Sequence, residues 1–175
     1  GILAHHRGLP VEHFIAACNV NDVVPEYLRT EILQPKETVA TISNAMDVGD
    51  PSNFVRILEL FDKEFNQVKN KLSGYTIDDE ETLKTIERVE KDYGYVLDPH
   101  GAVAFVALEK YLAENGGKGF FLETAHPVKF PDSVEKATGK SVEIPKSLEE
   151  LMKQEKFTTE INPQYEELKG FLLGK

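Results

Sequence analysis

Phe14-Ile15-Ala16-Ala17-Cys18-Asn19-Val20-Asn21-Asp22 turns from apolar to polar at Asn19. Phe14 to Cys18 is a short continuous apolar run, the pattern of a strand covered on both faces. After the polar turn, Val23, Val24, Tyr27 and Leu28 mark one helical face, and Pro25 is tolerated in the first helical turn.

The same grammar recurs along the chain. Val39-Ala40-Thr41-Ile42 is a second short run, β-branched in character and ending in Ser43-Asn44-Ala45-Met46-Asp47, and Gly119-Phe120-Phe121-Leu122 reads as a third buried strand, ending in Glu123-Thr124-Ala125-His126-Pro127. Helices are expected between them. Phe54, Ile57, Leu58, Phe61, Phe65 and Val68 recur at helical spacing and predict a helix over about 52–70. Asp78 with Glu81 caps a surface helix that Gly94 closes, and Asp98 with Pro99 opens another. From Ala102 to Leu108 that second helix is apolar all round, which predicts burial on every side. Strands alternating with helices give an α/β class, a partly parallel sheet with flanking helices.

The two ends read differently. Residues 1–10 look like the closing turns of a helix, with Gly8 past its end and Pro10 preventing continuation, but no capping residue precedes Ile2. A chain cut from a longer one is the expectation; a tag scar or a frayed terminus also fits. Beyond residue 139 the character changes. Ser147 with Glu150 predicts a capping box, and Asn162-Pro163 predicts the start of a last helix. Residues 1–139 are therefore expected to form the main region, and 140–175 a helical tail packed on it.

Composition narrows the classes of function. The 175 residues carry a formal charge of −10, without the basic cluster that phosphate backbones require. No apolar run approaches the roughly 18 residues needed to cross a membrane, and no signal-peptide pattern opens the chain. Cys18 is the single cysteine, which excludes an internal disulfide framework; its apolar run suggests a core residue. A cytoplasmic protein is the expectation. His5, His6 and His13 lack the carboxylate spacing of a metal centre, so no metal site is expected.

Polar groups follow each expected strand: Asn19 and Asn21, Ser43 and Asn44, Thr124 and His126. In open α/β sheets ligands bind at that edge, so one polar ligand site is expected there. Asn and Ser also close their own backbone turns in loops, and Thr124 also fits a plain turn residue.

Four blocks carry a family resemblance: Ala17 to Asp22, Ser43 to Asn53, Asp98 to Ala104 and Thr124 to Phe130. In this order they resemble bacterial and fungal threonine synthases, over roughly residues 1 to 150. The resemblance implies an incomplete piece of the fold-type II PLP-enzyme fold, whose other half lies upstream. It also implies a lyase that converts O-phosphohomoserine and water to threonine and phosphate with pyridoxal 5'-phosphate as cofactor. The lysine that binds the cofactor and the glycine-rich phosphate loop would both precede Gly1, so no catalytic residue is expected in this chain, and alone it would be inactive. Val103 and Phe105 would then lose packing partners.

By the same resemblance, Thr124 would meet the pyridine nitrogen of the cofactor and His100 would lie near its edge. Asn19, Asn21, Ser43 and Asn44 would line the substrate cleft. His100 equally fits an ordinary helix N-terminal residue, and His126, held extended before Pro127, fits a loop-shaping role. Arg56 and Lys129 are the nearest candidates for the substrate phosphate, and both also fit solvated surface charges. A self-standing α/β ligand-binding module without enzymatic activity is the alternative.

Overall fold

The computed structural model describes residues 1–174, in two compact units, Gly1–Val142 and Glu143–Lys175. The first unit contains α1 (Ile2–His6), β1 (Phe14–Cys18), α2 (Val23–Thr30), α3 (Phe54–Leu60), α4 (Phe65–Lys71), β2 (Leu72–Thr76), α5 (Asp79–Tyr93), α6 (Pro99–Asn115) and α7 (Pro131–Thr138). The second contains α8 (Lys146–Met152) and α9 (Tyr165–Leu172).

Strands β1 and β2 pair in parallel, Phe14 opposite Leu72 and Cys18 opposite Thr76. Both faces of this small sheet are apolar, as the run in β1 requires. Phe14 and Ala16 pack into a cluster with Tyr27 and Leu28 of α2, Phe54, Phe61, Val68 and Leu72. Ala17 and Tyr75 instead meet Val103 and Val106 of α6 together with Ile77. A third cluster ties α5, α6 and α7 through Ile86, Val89, Ala102 and Val134. The class is α/β, with helices on both faces of a parallel pair.

Capping residues behave as the sequence dictates in the two longest helices. Asp78 accepts from the Glu81 amide, and Asp98 accepts from the His100 and Gly101 amides with Pro99 in the first turn. Gly8 takes φ +98°, the left-handed conformation expected past α1.

Several expectations change. Leu72–Thr76 is a strand that its sequence conceals, because Ser73 and Gly74 interrupt any apolar pattern. Gly74 is needed there: a β-carbon at this position would lie 2.7 Å from Pro25 Cα on α2. Gly74→Ala is expected to force α2 off the sheet and cost about 2 kcal/mol, read as a lower urea midpoint.

The expected strands 39–42 and 119–122 do not form: neither segment pairs into a sheet. A strand needs a ladder partner, and the described residues provide none; Val39 is 54% exposed and Phe120 is 72% exposed. The expected helix 52–70 breaks into α3 and α4, because Asp62 and Lys63 both adopt positive φ. Its periodicity survives the break because Phe54 of α3, Phe61 just past its end and Val68 of α4 all enter one cluster.

Helix α6 is enclosed less completely than its sequence suggests, with Ala104, Phe105 and Leu108 only half-buried. Val103, expected to lose its cover, is fully buried against Ile77 and Val106. Ser147 forms no capping box on α8, which starts from Pro145. Asn162 bonds the Glu167 carboxylate through backbone and side chain, but α9 begins only at Tyr165.

Candidate functional site

The C-terminal end of β1 delivers Asn19 and Asn21 into a buried polar network. Both are nearly inaccessible, as is Ser43. The Asn19 amide donates to Thr41 Oγ1 and Asp47 Oδ1, each at 2.8 Å, and lies 3.1 Å from Ser43 Oγ. Its own oxygen accepts from the Asn21 amide nitrogen at 2.9 Å, an Asx turn that sets the polar bend after the strand. Asn21 grips the other side of the loop, donating to the Val39 carbonyl and accepting from the Val39 N–H, both at 2.8 Å.

Asp47 is the hub of this network. Its Oδ1 accepts from Asn19, from Thr41 Oγ1 at 2.7 Å and from Asn21 at 3.3 Å, and its Oδ2 accepts from the Thr41 N–H at 3.0 Å. The loop 39–47 is thereby clamped onto the strand end although it forms no ladder. Buried polar groups must find partners, and here each finds one inside the loop or the strand end.

The N-terminus of α6 approaches from the other side. His100 Nε2 accepts from the Ala45 N–H at 3.1 Å. A ring nitrogen that accepts carries no proton, so the proton sits on Nδ1, which donates to Asp98 Oδ1 at 2.6 Å. Asp98 is wholly buried, and its carboxylate also receives the His100 amide at 2.9 Å. Burial works to raise the Asp98 carboxyl, but contact with Glu123 and the hydrogen bonds from His100 outweigh it and hold it below its ordinary value. The His100 ring rests on Phe130, centroids 4.8 Å apart.

The third segment, 121–126, alternates strictly between half-buried and exposed residues. Phe121, Glu123 and Ala125 face inward, while Leu122, Thr124 and His126 face outward, the period-2 pattern of extended backbone. Thr124 is therefore exposed, and its hydroxyl makes no hydrogen bond among the described residues. His126 Nδ1 accepts from the Val128 N–H at 3.2 Å and caps the turn Pro127–Lys129, which supports its loop-shaping reading.

The structure thus gathers Asn19, Asn21, Ser43 and His100 into connected networks around the strand end. Asn44 and Thr124 lie exposed beside those networks, on segments that the networks hold. Arg56 on α3 and Lys129 are both exposed. Two residues that sequence reading passed over, Asp47 and Glu123, sit at the centres of the arrangement. Each closes or opens a polar block already of interest, but its importance depends on partners far along the chain.

A family model described as "Threonine synthase, C-terminal" matches residues 101–172. Threonine synthase of Escherichia coli is 48% identical over 150 residues, which cover 86% of this chain. The chain belongs to the threonine synthase family. The crystal structure of the Escherichia coli threonine synthase superposes with a TM-score of 0.88 at 42% identity, over 99% of this chain. A PLP-bound threonine synthase from Brucella melitensis superposes at 0.76, with 28% identity. The chain spans 34% of the length of the Escherichia coli relative and 40% of the Escherichia coli structure. Threonine synthase relatives thus carry more than half their length outside the stretch described by this chain.

Cys18 is half-buried, and burial, followed by the Asp22 carboxylate, pushes its thiol up to about 12. A thiol so reluctant to ionise is a packing residue. His13 bonds Ser73 Oγ at 2.8 Å and stacks on Tyr111, away from the networks described above. No helix of the described residues is long and apolar enough to cross a membrane.

Proposed function

We propose that the protein carrying this chain is a PLP-dependent lyase that converts O-phosphohomoserine and water to threonine and phosphate. The observation that carries the reading is the 48% identity to threonine synthase of Escherichia coli over most of the chain. The lysine and phosphate loop that hold the cofactor are supplied by sequence outside residues 1–175. The groups assigned below all fall within residues 1–139, the main region read from the sequence, and inside the first compact unit, Gly1–Val142. We place the protein in the cytoplasm, where a lone thiol such as Cys18 stays reduced.

The residues present suit the cofactor on one point of chemistry. Thr124 offers a neutral hydroxyl on the outward face, while the neighbouring carboxyl of Glu123 is turned inward. A hydroxyl can hydrogen-bond a pyridine nitrogen without holding it protonated, as a carboxylate would. PLP, when bound, supplies the electron sink for carbanion chemistry on the substrate. The chain's own residues would then position it: Thr124 would hydrogen-bond the ring nitrogen, and His100, which bonds Ala45, would hold the loop at its edge. Asn19, Asn21 and Ser43 form the floor of the substrate cleft, and exposed Asn44 reaches into it.

Phosphate release from O-phosphohomoserine by the full-length protein tests the reading. Thr124→Val, which removes the hydroxyl and keeps the shape, is expected to lower kcat by roughly tenfold to a hundredfold, the worth of one hydrogen bond to the reacting system. Binding of PLP and a substrate analogue without any phosphate release would instead favour a ligand-binding module.

A further inference from the structure

Glu123 is held in a manner that the assigned roles leave unexplained. Its Oε1 accepts from the Asp98 N–H at 3.3 Å, and its Oε2 is buried without a hydrogen-bond partner. The carboxyl occupies the space left by the missing side chain of Gly101; a β-carbon there would collide with both carboxyl oxygens. The wholly buried Asp98 carboxylate lies beside it.

We propose that Glu123 is a positioning residue for this site: its carboxyl, seated against Gly101 at the start of α6, fixes the 121–126 segment so that Thr124 is presented on the opposite face. The proposal rests on the reading of Thr124 given above. Segment 119–125 has no strand partner among the described residues; this seat, the packing of Phe121 and the close approach of Gly119 to Leu108 attach it to α6. The seat is continuous with the rest of the site, because Asp98 bonds His100 and His100 bonds Ala45.

Charge balance decides the form of Glu123 in this seat. The groups facing it are Asp98, the N-cap of α6, and Tyr95 from the preceding turn; His100 bears on it only through its bond to Asp98. His100 is neutral by its hydrogen bonding, and no lysine or arginine among the described residues pairs with Asp98 or Glu123. Two carboxylates side by side without a cation repel, so one proton stays. Asp98 has the better donors, so Glu123 keeps the proton. Burial first, and then Asp98, push its carboxyl up to about 8. Above that pH the second charge forms, the seat becomes repulsive and Thr124 loses its support.

The test uses the full-length protein. Glu123→Ala is expected to lower kcat at least tenfold, and Glu123→Gln, which keeps the shape without the charge, is expected to restore most of it. Gly101→Ala, filling the seat from the other side, is expected to resemble Glu123→Ala. Wild-type kcat/KM is expected to fall above about pH 8, and Glu123→Gln to move that fall upward by at least one pH unit. Without cofactor, the wild-type Tm is expected to decline between pH 6 and 8.5, and Glu123→Gln to flatten that decline. An unchanged Tm profile in Glu123→Gln, or full kcat in Glu123→Ala, overturns the proposal. Should wild type release no phosphate, the reading of the reaction falls, while the cofactor-free Tm series still decides whether Glu123 titrates in its seat.

Discussion

Asp98→Ala is expected to destabilise the protein by about 3 kcal/mol, among the largest losses any single substitution here would produce, read as a lower urea midpoint at unchanged slope. Three contributions lie behind that size. The N-cap of α6 disappears, worth about 1 kcal/mol in most helices. His100 Nδ1 keeps its proton but loses its acceptor, and a buried donor without a partner costs about 1–3 kcal/mol. Partly offsetting both, Glu123 is freed from a neighbouring carboxylate. Asp98→Asn separates these effects. Its amide oxygen can still accept from the His100 amide and from Nδ1, the two bonds that Asp98 Oδ1 makes at 2.9 and 2.6 Å. A loss of about 1 kcal/mol is expected for Asn, because a neutral acceptor is weaker than a charged one.

The same pair limits the protein at both ends of the pH scale. Asp98 holds its carboxyl below the ordinary value, so its contribution is present above the ordinary carboxylate range and is lost as pH falls. Glu123 is raised, so its contribution is complete at acid pH and is lost as pH climbs to about 8. Stability from this cluster therefore peaks between the two. Asp98→Asn is expected to flatten the acid side, leaving on the alkaline side the smaller slope that burial of Glu123 alone produces.

How much of this could be read from the sequence depends on how local the cause is. Asp78 and Asp98 were legible as caps because a cap is set by residues within one turn of it. The strand Phe14–Cys18 was legible because both its faces are apolar, and the sequence shows this directly. Strand Leu72–Thr76 was hidden: it follows α4 without a loop and carries Ser73 and Gly74, whose use is the close approach of Pro25. Residues 39–42 and 119–122 have strand composition, but composition supplies no ladder partner. The site divides in the same way. Asn19, Asn21, Ser43 and His100 lie in blocks whose polarity at a strand end or helix start is visible, and the fold brings them together. Asp47 and Glu123 bind partners up to 28 and 25 residues away, and nothing near them in sequence marks them as centres.

Asp47 shows what such a hidden centre does. Asp47→Ala is expected to cost about 3 kcal/mol, since charge-assisted hydrogen bonds contribute about 1.5–3 kcal/mol each and those to one carboxylate do not add fully. Asparagine should rescue less here than at position 98, where the second carboxylate oxygen meets only the Gly101 N–H at a long 3.4 Å. Both carboxylate oxygens of Asp47 face donors: Oδ1 meets Asn19, Asn21 and the Thr41 hydroxyl, and Oδ2 meets the Thr41 N–H. An amide in either orientation therefore sets its NH2 against a donor, and a loss of about 2 kcal/mol is expected for Asp47→Asn. The damage should be local in its first effect. Loop 39–47 has no ladder, so releasing the clamp frees Ser43 and Asn44 while β1 and β2 stay paired. Hydrogen exchange distinguishes the two outcomes. The amides of Val39 and Thr41 should exchange faster in both variants, and those along β1 should hold. Equal acceleration across β1 would mean that Asp47 supports the sheet itself and that the loop has no separate stability.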